Sequence, residues 1–274
     1  MEGVNRPASV RSQERTGTRR YSDLQGIGRA LAILEALAER PMRAKEVADA
    51  LGLKWTTAYR ALAHLREGGY LRRDDTTGLY SVGTRLYAIG ASYLANLAIV
   101  QLGRPYLRAA ADEAAATAQL VERDRDRAVV LAVAEPPSET IPKSTAGFHF
   151  PLHAGSKGRV LLAFSDEETI RWYLGRPLEQ LTRHTITDPV ELRLILARIR
   201  EQGYAATLRD VQLSTGSVAA PVHDASGAVV ACVCLIASAA DVEEREARLA
   251  DVALATARSL SVALGWRPVR GRVE

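Results

Sequence analysis

The sequence predicts an α+β protein of two domains, a small N-terminal winged helix-turn-helix and a larger C-terminal domain built on antiparallel strands. Three observations predict it. Within residues 22–85, three short segments of helical periodicity lead into a hairpin pattern. An apolar helical stripe follows over residues 86–103. From residue 104 to 265, strand-like segments come in pairs joined by charged or glycine-containing turns, with helices grouped around them instead of one between every two strands.

Residues 1–21 are polar, rich in Arg, Ser, Thr and Gly, and without periodicity, so they read as a disordered basic arm. Ile27, Ala30, Leu31, Leu34 and Ala38 then recur at helical spacing until Pro41. A short helix with Val47, Ala48 and Leu51 inward closes at Gly52, and a third runs from about Trp55 to Gly68-Gly69. Tyr70–Arg73, the turn Asp74–Gly78 and Leu79–Val82 form the expected hairpin. Leu86, Ile89, Tyr93 and Leu97 share one stripe of the 86–103 helix, too long for so small a domain to cover, which points to a linker that packs against a second copy. A further helix is expected over Tyr106–Ala116. Strands follow at 118–123, 128–135, 204–209, 217–223 and 228–236, with helices at 156–164, 166–174, 189–202 and 241–264, and residues 266–274 form a tail.

Composition narrows the partners. Hydrophobic residues make up 47% and charged residues 25%, which excludes a chain too polar to fold. No apolar run approaches the ~20 residues of a membrane span, and Met1–Arg20 carries no apolar segment of the secretory type, so a cytoplasmic protein without membrane contact is expected. The two cysteines, Cys232 and Cys234, sit at strand spacing and read as small core residues in a reducing compartment. Residues 1–90 hold 15 Lys and Arg against 10 Asp and Glu, while residues 91–274 hold 21 against 22. The excess positive charge therefore lies wholly in the first third, the footprint expected of a nucleic-acid partner, although the arm alone accounts for part of it.

The third helix sharpens that expectation. At ~100° per residue, Ala58, Ala61, Leu62 and Leu65 face inward, while Thr56, Arg60 and Ala63 face out between Thr57 and His64. A helix entering the major groove needs small and hydroxylated residues for close approach and an Arg to pair with guanine. The candidate DNA-binding residues are Lys54, Thr56, Thr57, Tyr59 and Arg60 on this helix, with Arg72 and Arg73 on the hairpin.

In sequence the chain resembles the IclR-type bacterial transcription regulators over about residues 22–264. The resemblance rests on Arg29–Glu35, Glu46-Val47-Ala48, Leu51–Arg60, Gly69-Tyr70-Leu71 and Tyr80–Gly83 in the first domain. In the second it rests on Pro151–Ala154 with Gly158 and Leu161–Ala163, then Thr185–Asp188, Arg200–Ala205 and Ala219–Val222. It implies a homodimer, often a dimer of dimers, on a palindromic operator in double-stranded DNA. It also implies a GAF-like C-terminal domain that binds a small organic effector, commonly an acid or an aromatic compound, with repression expected over activation.

Carried over position by position, the resemblance places effector contacts at the backbone amides of Ser156 and Lys157 and at the side chains of Thr207, Ser217, Cys234 and Ile236. Several of these depart from the usual pattern. Thr207 stands for an acidic residue, Ser217 for Cys, and Cys234 and Ile236 for a pair of Ser. Gly158-Arg159 replaces a Gly-Lys step, and Gln212 and Ser214 replace Glu and Gly. The changes make the site less polar, so an aromatic or largely apolar effector is expected.

Enzymatic signals are weak, and neither a catalytic residue, a cofactor nor a metal is expected. Gly155–Gly158 lacks the spacing of a nucleophile elbow. Gly26-Ile27-Gly28 lacks both the preceding strand and the third glycine of a dinucleotide fingerprint. His149 and His153 flank Pro151, which keeps them off one helical face. The competing reading is an enzyme with its pocket in residues 104–265 and an N-terminal dimerisation module. Such an enzyme would have no use for Arg60, Arg72 and Arg73 around an exposed helix.

Overall fold

The computed structural model of the chain describes residues 25–136 and 146–267. The expected arm over 1–21 and the last seven residues of the tail lie outside the described residues. The chain divides into two compact units at the Tyr93–Leu94 bond.

The smaller unit contains α1 (Gln25–Glu39), α2 (Ala44–Ala50), α3 (Trp55–Glu67), β1 (Leu71–Arg73) and β2 (Tyr80–Val82). Ile33 and Leu37 of α1, Val47 of α2 and Leu62 of α3 meet Leu71 and Tyr80 of the hairpin in one core. The Glu46 carboxylate caps α2 by accepting the Arg43 amide at 2.7 Å. β1 and β2 pair antiparallel, Arg72 opposite Ser81, and Met42 adds a bridge to Tyr80. Gly83 closes the wing where only a glycine fits, since a Cβ there would lie 2.3 Å from the Gly69 carbonyl oxygen. The order of helices and hairpin is that of a winged helix-turn-helix.

α4 (Thr84–Asn96) follows, then α5 (Ala98–Ala114). The helix expected over 86–103 is corrected here: it ends at Asn96, and Leu97 leaves helical geometry at φ −81, ψ 106. Leu97 packs against the core of the larger unit, and the Gln101 side-chain amide donates to the Ala95 carbonyl left open by the break. The helix expected from Tyr106 begins eight residues earlier and passes through Pro105. Val100, Gly103, Leu107, Ala110, Ala111 and Ala114 are all buried, and that packing offsets the one backbone bond the proline removes.

The larger unit is a six-stranded antiparallel sheet of order β5-β4-β3-β8-β7-β6. Its strands are β3 (Thr117–Asp124), β4 (Arg127–Ala134), β5 (His149–Pro151), β6 (Ala205–Leu208), β7 (Thr215–His223) and β8 (Val229–Ser238). One face, with Leu120, Val218, Val233 and Leu235, packs on α5 and α9 (Ala239–Ala263). The other, with Val121, Val130, Ala219, Cys232 and Cys234, packs on α6 (Gly155–Ala163), α7 (Glu167–Leu174) and α8 (Pro189–Gln202). Asp166 and Asp188 cap α7 and α8, and Pro189 sits at the start of α8, where its missing N–H costs nothing. β5 was not expected from the sequence.

Candidate functional sites

On α3 the side chains of Thr56, Tyr59 and Arg60 are exposed and Thr57 is half-buried, while Lys54 is exposed immediately before the helix. Among the described residues neither Lys54 nor Arg60 forms an ion pair, so both charges are available to a partner. Arg72 and Arg73 are exposed on β1, where successive side chains point to opposite faces. The Arg72 Nε donates to Ser81 Oγ at 2.9 Å. Arg73 lies over the Tyr80 ring and 3.7 Å from Asp75, so part of its charge is answered locally. The expected basic and hydroxylated face is therefore present in this unit, with Trp55 beside it, an exposed aromatic that the sequence reading left aside.

The six positions expected to contact an effector converge between α6 and the sheet. Register alone aligns three of them: Thr207 pairs with Ser217, and Ser217 with Ile236. α6 comes close because Gly158 lies on the Pro151–Leu152 backbone, where a Cβ would meet carbonyl oxygens at 2.7 and 2.8 Å. The Ser156 amide donates to Thr207 Oγ1 at 3.1 Å, and its hydroxyl donates to Ser217 Oγ at 2.8 Å. Thr207 Oγ1 and Ser217 Oγ are 3.1 Å apart, which links the three hydroxyls in a row closed by the Ser156 amide, and Cys234 Sγ lies 3.7 Å from Ser156 Oγ. Ile236 is half-buried and packs against the same cluster as Cys234.

Lys157 enters the site with its side chain as well as its amide. It is 5% exposed; its Nζ donates to Gln119 Oε1 at 3.0 Å and sits 3.6 Å from the centre of the Phe150 ring. Among the described residues no carboxylate pairs with it. Burial lowers its pKa from the ordinary lysine value, because the charged form has lost its water. The same burial raises the thiols of Cys232 and Cys234, which stay protonated.

Behind this lies a buried network. Asp210 Oδ2 accepts the Gly155 amide at 2.7 Å and pairs with Arg159 at 2.8 Å, while Arg159 Nε donates to the His153 carbonyl at 2.9 Å. The His153 Nε2 faces the Glu179 carbonyl at 2.8 Å, so it carries the proton, and Nδ1 accepts the Tyr173 hydroxyl at 2.9 Å. Burial lowers the His153 pKa and keeps this neutral tautomer. The sequence had pointed to no role in such a network for Asp210, Arg159 or His153. Their one signal was a helix, α6, carrying Lys157 and Arg159 with no polar face for either. A small open cleft of about 70 Å³ lies beyond His153, between Tyr173, Arg176 and Leu178, and none of the six expected effector positions lines it. Among the described residues no cluster of metal-ligating side chains occurs.

A winged helix with a free basic face, and a separate sheet domain with a buried cationic site, together define a ligand-sensing DNA-binding regulator. Comparison with known proteins makes the assignment specific. The model of the bacterial transcriptional regulator IclR C-terminal domain matches residues 91–262, and that of the IclR helix-turn-helix domain matches residues 26–75. The chain belongs to the IclR family of effector-sensing, DNA-binding transcriptional regulators, which are not enzymes. It is 27% identical over 249 residues to the DNA-binding transcriptional repressor YiaJ of Escherichia coli K12, covering 88% of each chain. Its fold matches the crystal structure of a transcriptional regulator from Alicyclobacillus acidocaldarius with a TM-score of 0.76 at 28% identity, over 88% of this chain and 98% of that one. It also matches an IclR homolog from Microbacterium hydrocarbonoxydans complexed with 4-hydroxybenzoate, with a TM-score of 0.75 at 22% identity, over 87% of this chain and 98% of that one.

Proposed function

We propose that the protein is a cytoplasmic repressor that grips a palindromic operator as a dimer, and that its effector is an acid with an aromatic or largely apolar body. The observation that carries the ligand class is Lys157. Among the described residues this buried ammonium meets an amide oxygen and a ring face but no counter-charge, and Asp210 is already taken by Arg159. A carboxylate supplies that charge. Ile236, Cys234 and Phe150 give the rest of the site an apolar lining, while Ser156, Thr207 and Ser217 offer three hydroxyls to orient a polar substituent. The repressor name carried by YiaJ and the 4-hydroxybenzoate of the Microbacterium homolog agree with this reading.

Lys54, Thr56, Thr57, Tyr59 and Arg60 would face the major groove, and Arg72 and Arg73 the adjoining phosphates. Dimerisation would use α4, where Tyr87, Ile89 and Tyr93 are exposed apolar side chains and Leu86 is half-buried. The test is a panel of benzoates and matched neutral benzamides, 4-hydroxybenzoate included, titrated into the complex of the protein with DNA flanking its gene. Acids should shift operator affinity and the amides should not. Ile236→Arg should abolish the response and leave basal DNA binding intact. An equal response to acids and amides would exclude Lys157 as the anchor.

A further inference from the structure

α3 carries an aromatic pair that its own domain does not use. Trp55 is the first residue of the helix and Tyr59 follows one turn later. Their rings lie 5.3 Å apart at 44°, and the side chains are 53% and 51% exposed. Neither belongs to the core formed by Ile33, Leu37, Val47 and Leu62. An indole held half in water leaves apolar area whose burial against a partner is favourable. The pair flanks the exposed Thr56 and Arg60, so whatever those residues meet also meets the indole.

In a helix-turn-helix the N-terminal residues of the second helix reach the base edges. The major groove there presents polar atoms and one apolar group, the C5-methyl of thymine. An uncharged ring at the first position of α3 suits that methyl, and without a charge it cannot form an ion pair with a phosphate. Tyr59 supports the indole from the next turn and limits its rotamers, so the ring is ordered before DNA arrives. We propose that Trp55, braced by Tyr59, is a specificity-determining residue that packs on a thymine methyl in the operator. This rests on α3 being the reading helix, which Arg60→Ala tests separately.

The experiment uses the full chain and a duplex selected by it from a randomised library. Each thymine is then replaced singly by uracil, which deletes the methyl and leaves base pairing unchanged. Wild-type protein should lose about fourfold in affinity at the contacted position, the effect of one buried methyl. Trp55→Ala should lose at least that much on the thymine duplex and be indifferent to uracil at that position, with an unchanged salt slope because no charge is removed. Trp55→Phe should keep part of the methyl dependence. Circular dichroism and light scattering check that the variant is folded and assembled as the wild type is. Wild-type affinity in Trp55→Ala, or a thymine-to-uracil ratio as large as the wild type's, overturns the proposal. So does loss of assembly without any base dependence, which would make the pair an interface between copies. If Arg60→Ala also binds as the wild type does, the reading helix itself is wrong; if only Trp55→Ala does, this contact alone is.

Discussion

Replacing Lys157 by Met separates a ligand anchor from a structural clasp. Among the described residues the ammonium makes one charge-assisted hydrogen bond, to Gln119, and one contact with the Phe150 ring face. The first contributes ~1.5–3 kcal/mol and the second ~2 kcal/mol when desolvated. Against them stands the desolvation of a side chain only 5% exposed, several kcal/mol for an unpaired ion. The terms nearly cancel, so Lys157→Met, which keeps the volume, should leave the ligand-free protein within about 1 kcal/mol of wild type, read as a shift of about 2–4 °C in calorimetric Tm. Ligand should change the comparison. An acid at 100 times its Kd stabilises the wild type by ~2.7 kcal/mol, about 5–11 °C for a domain of this size. The variant should show little of that rise. A loss of ~3 kcal/mol or more without ligand, as on breaking a buried ion pair, would mean that Lys157 holds the fold. An undiminished rise with acid would refute the anchor.

Arg60→Ala should cost about 1–3 kcal/mol in operator binding if the side chain reads a base; if it touches only phosphate, the loss should be uniform across sequences, and gel shifts at several salt concentrations distinguish the two. Replacing Ile89 and Tyr93 together by Asp should weaken self-association and operator binding in parallel, measured by light scattering and gel shift; a wild type that is monomeric at micromolar concentration would contradict it. Burial depresses the pKa of His153 and of His223, so both favour the neutral form in the fold. Their contribution is complete above ~6.5, where the unfolded histidines are also neutral, and is lost as pH falls from there through the lowered folded values. The urea midpoint should drop between pH 7.5 and 5, and less steeply in His153→Gln; an unchanged midpoint would count against it.

The helix-turn-helix was legible because its signals are local: helical spacing from Ile27 to Leu65, a breaker at Pro41, a turn at Asp74–Gly78. So were most strands of the larger unit, whose hairpins join neighbours in sequence. The break at Leu97 was hidden because apolar residues continue across it at helical spacing, and only packing within the larger unit decides where the backbone turns. Pro105 misled for the opposite reason, a local stop overridden by burial on both sides of it. β5 has three residues and ends on a proline, too short to carry a period. The proposed effector positions came from resemblance, which did not reach the Lys157 ammonium or the Arg159–Asp210 pair, since their partners Gln119 and Asp210 lie 38 and 51 residues away in the chain.

At the proposed effector site, the linked hydroxyls of Ser156, Thr207 and Ser217 would set a detection threshold. Those groups already satisfy one another, so an incoming molecule that uses them exchanges hydrogen bonds and gains little from each. Weak polar metabolites would therefore have small leverage there, and trace amounts would leave the proposed switch untouched. A compound that brings charge for Lys157 and apolar bulk for Ile236 would obtain a net gain, so the regulator would ignore background chemistry and answer to a matched surplus.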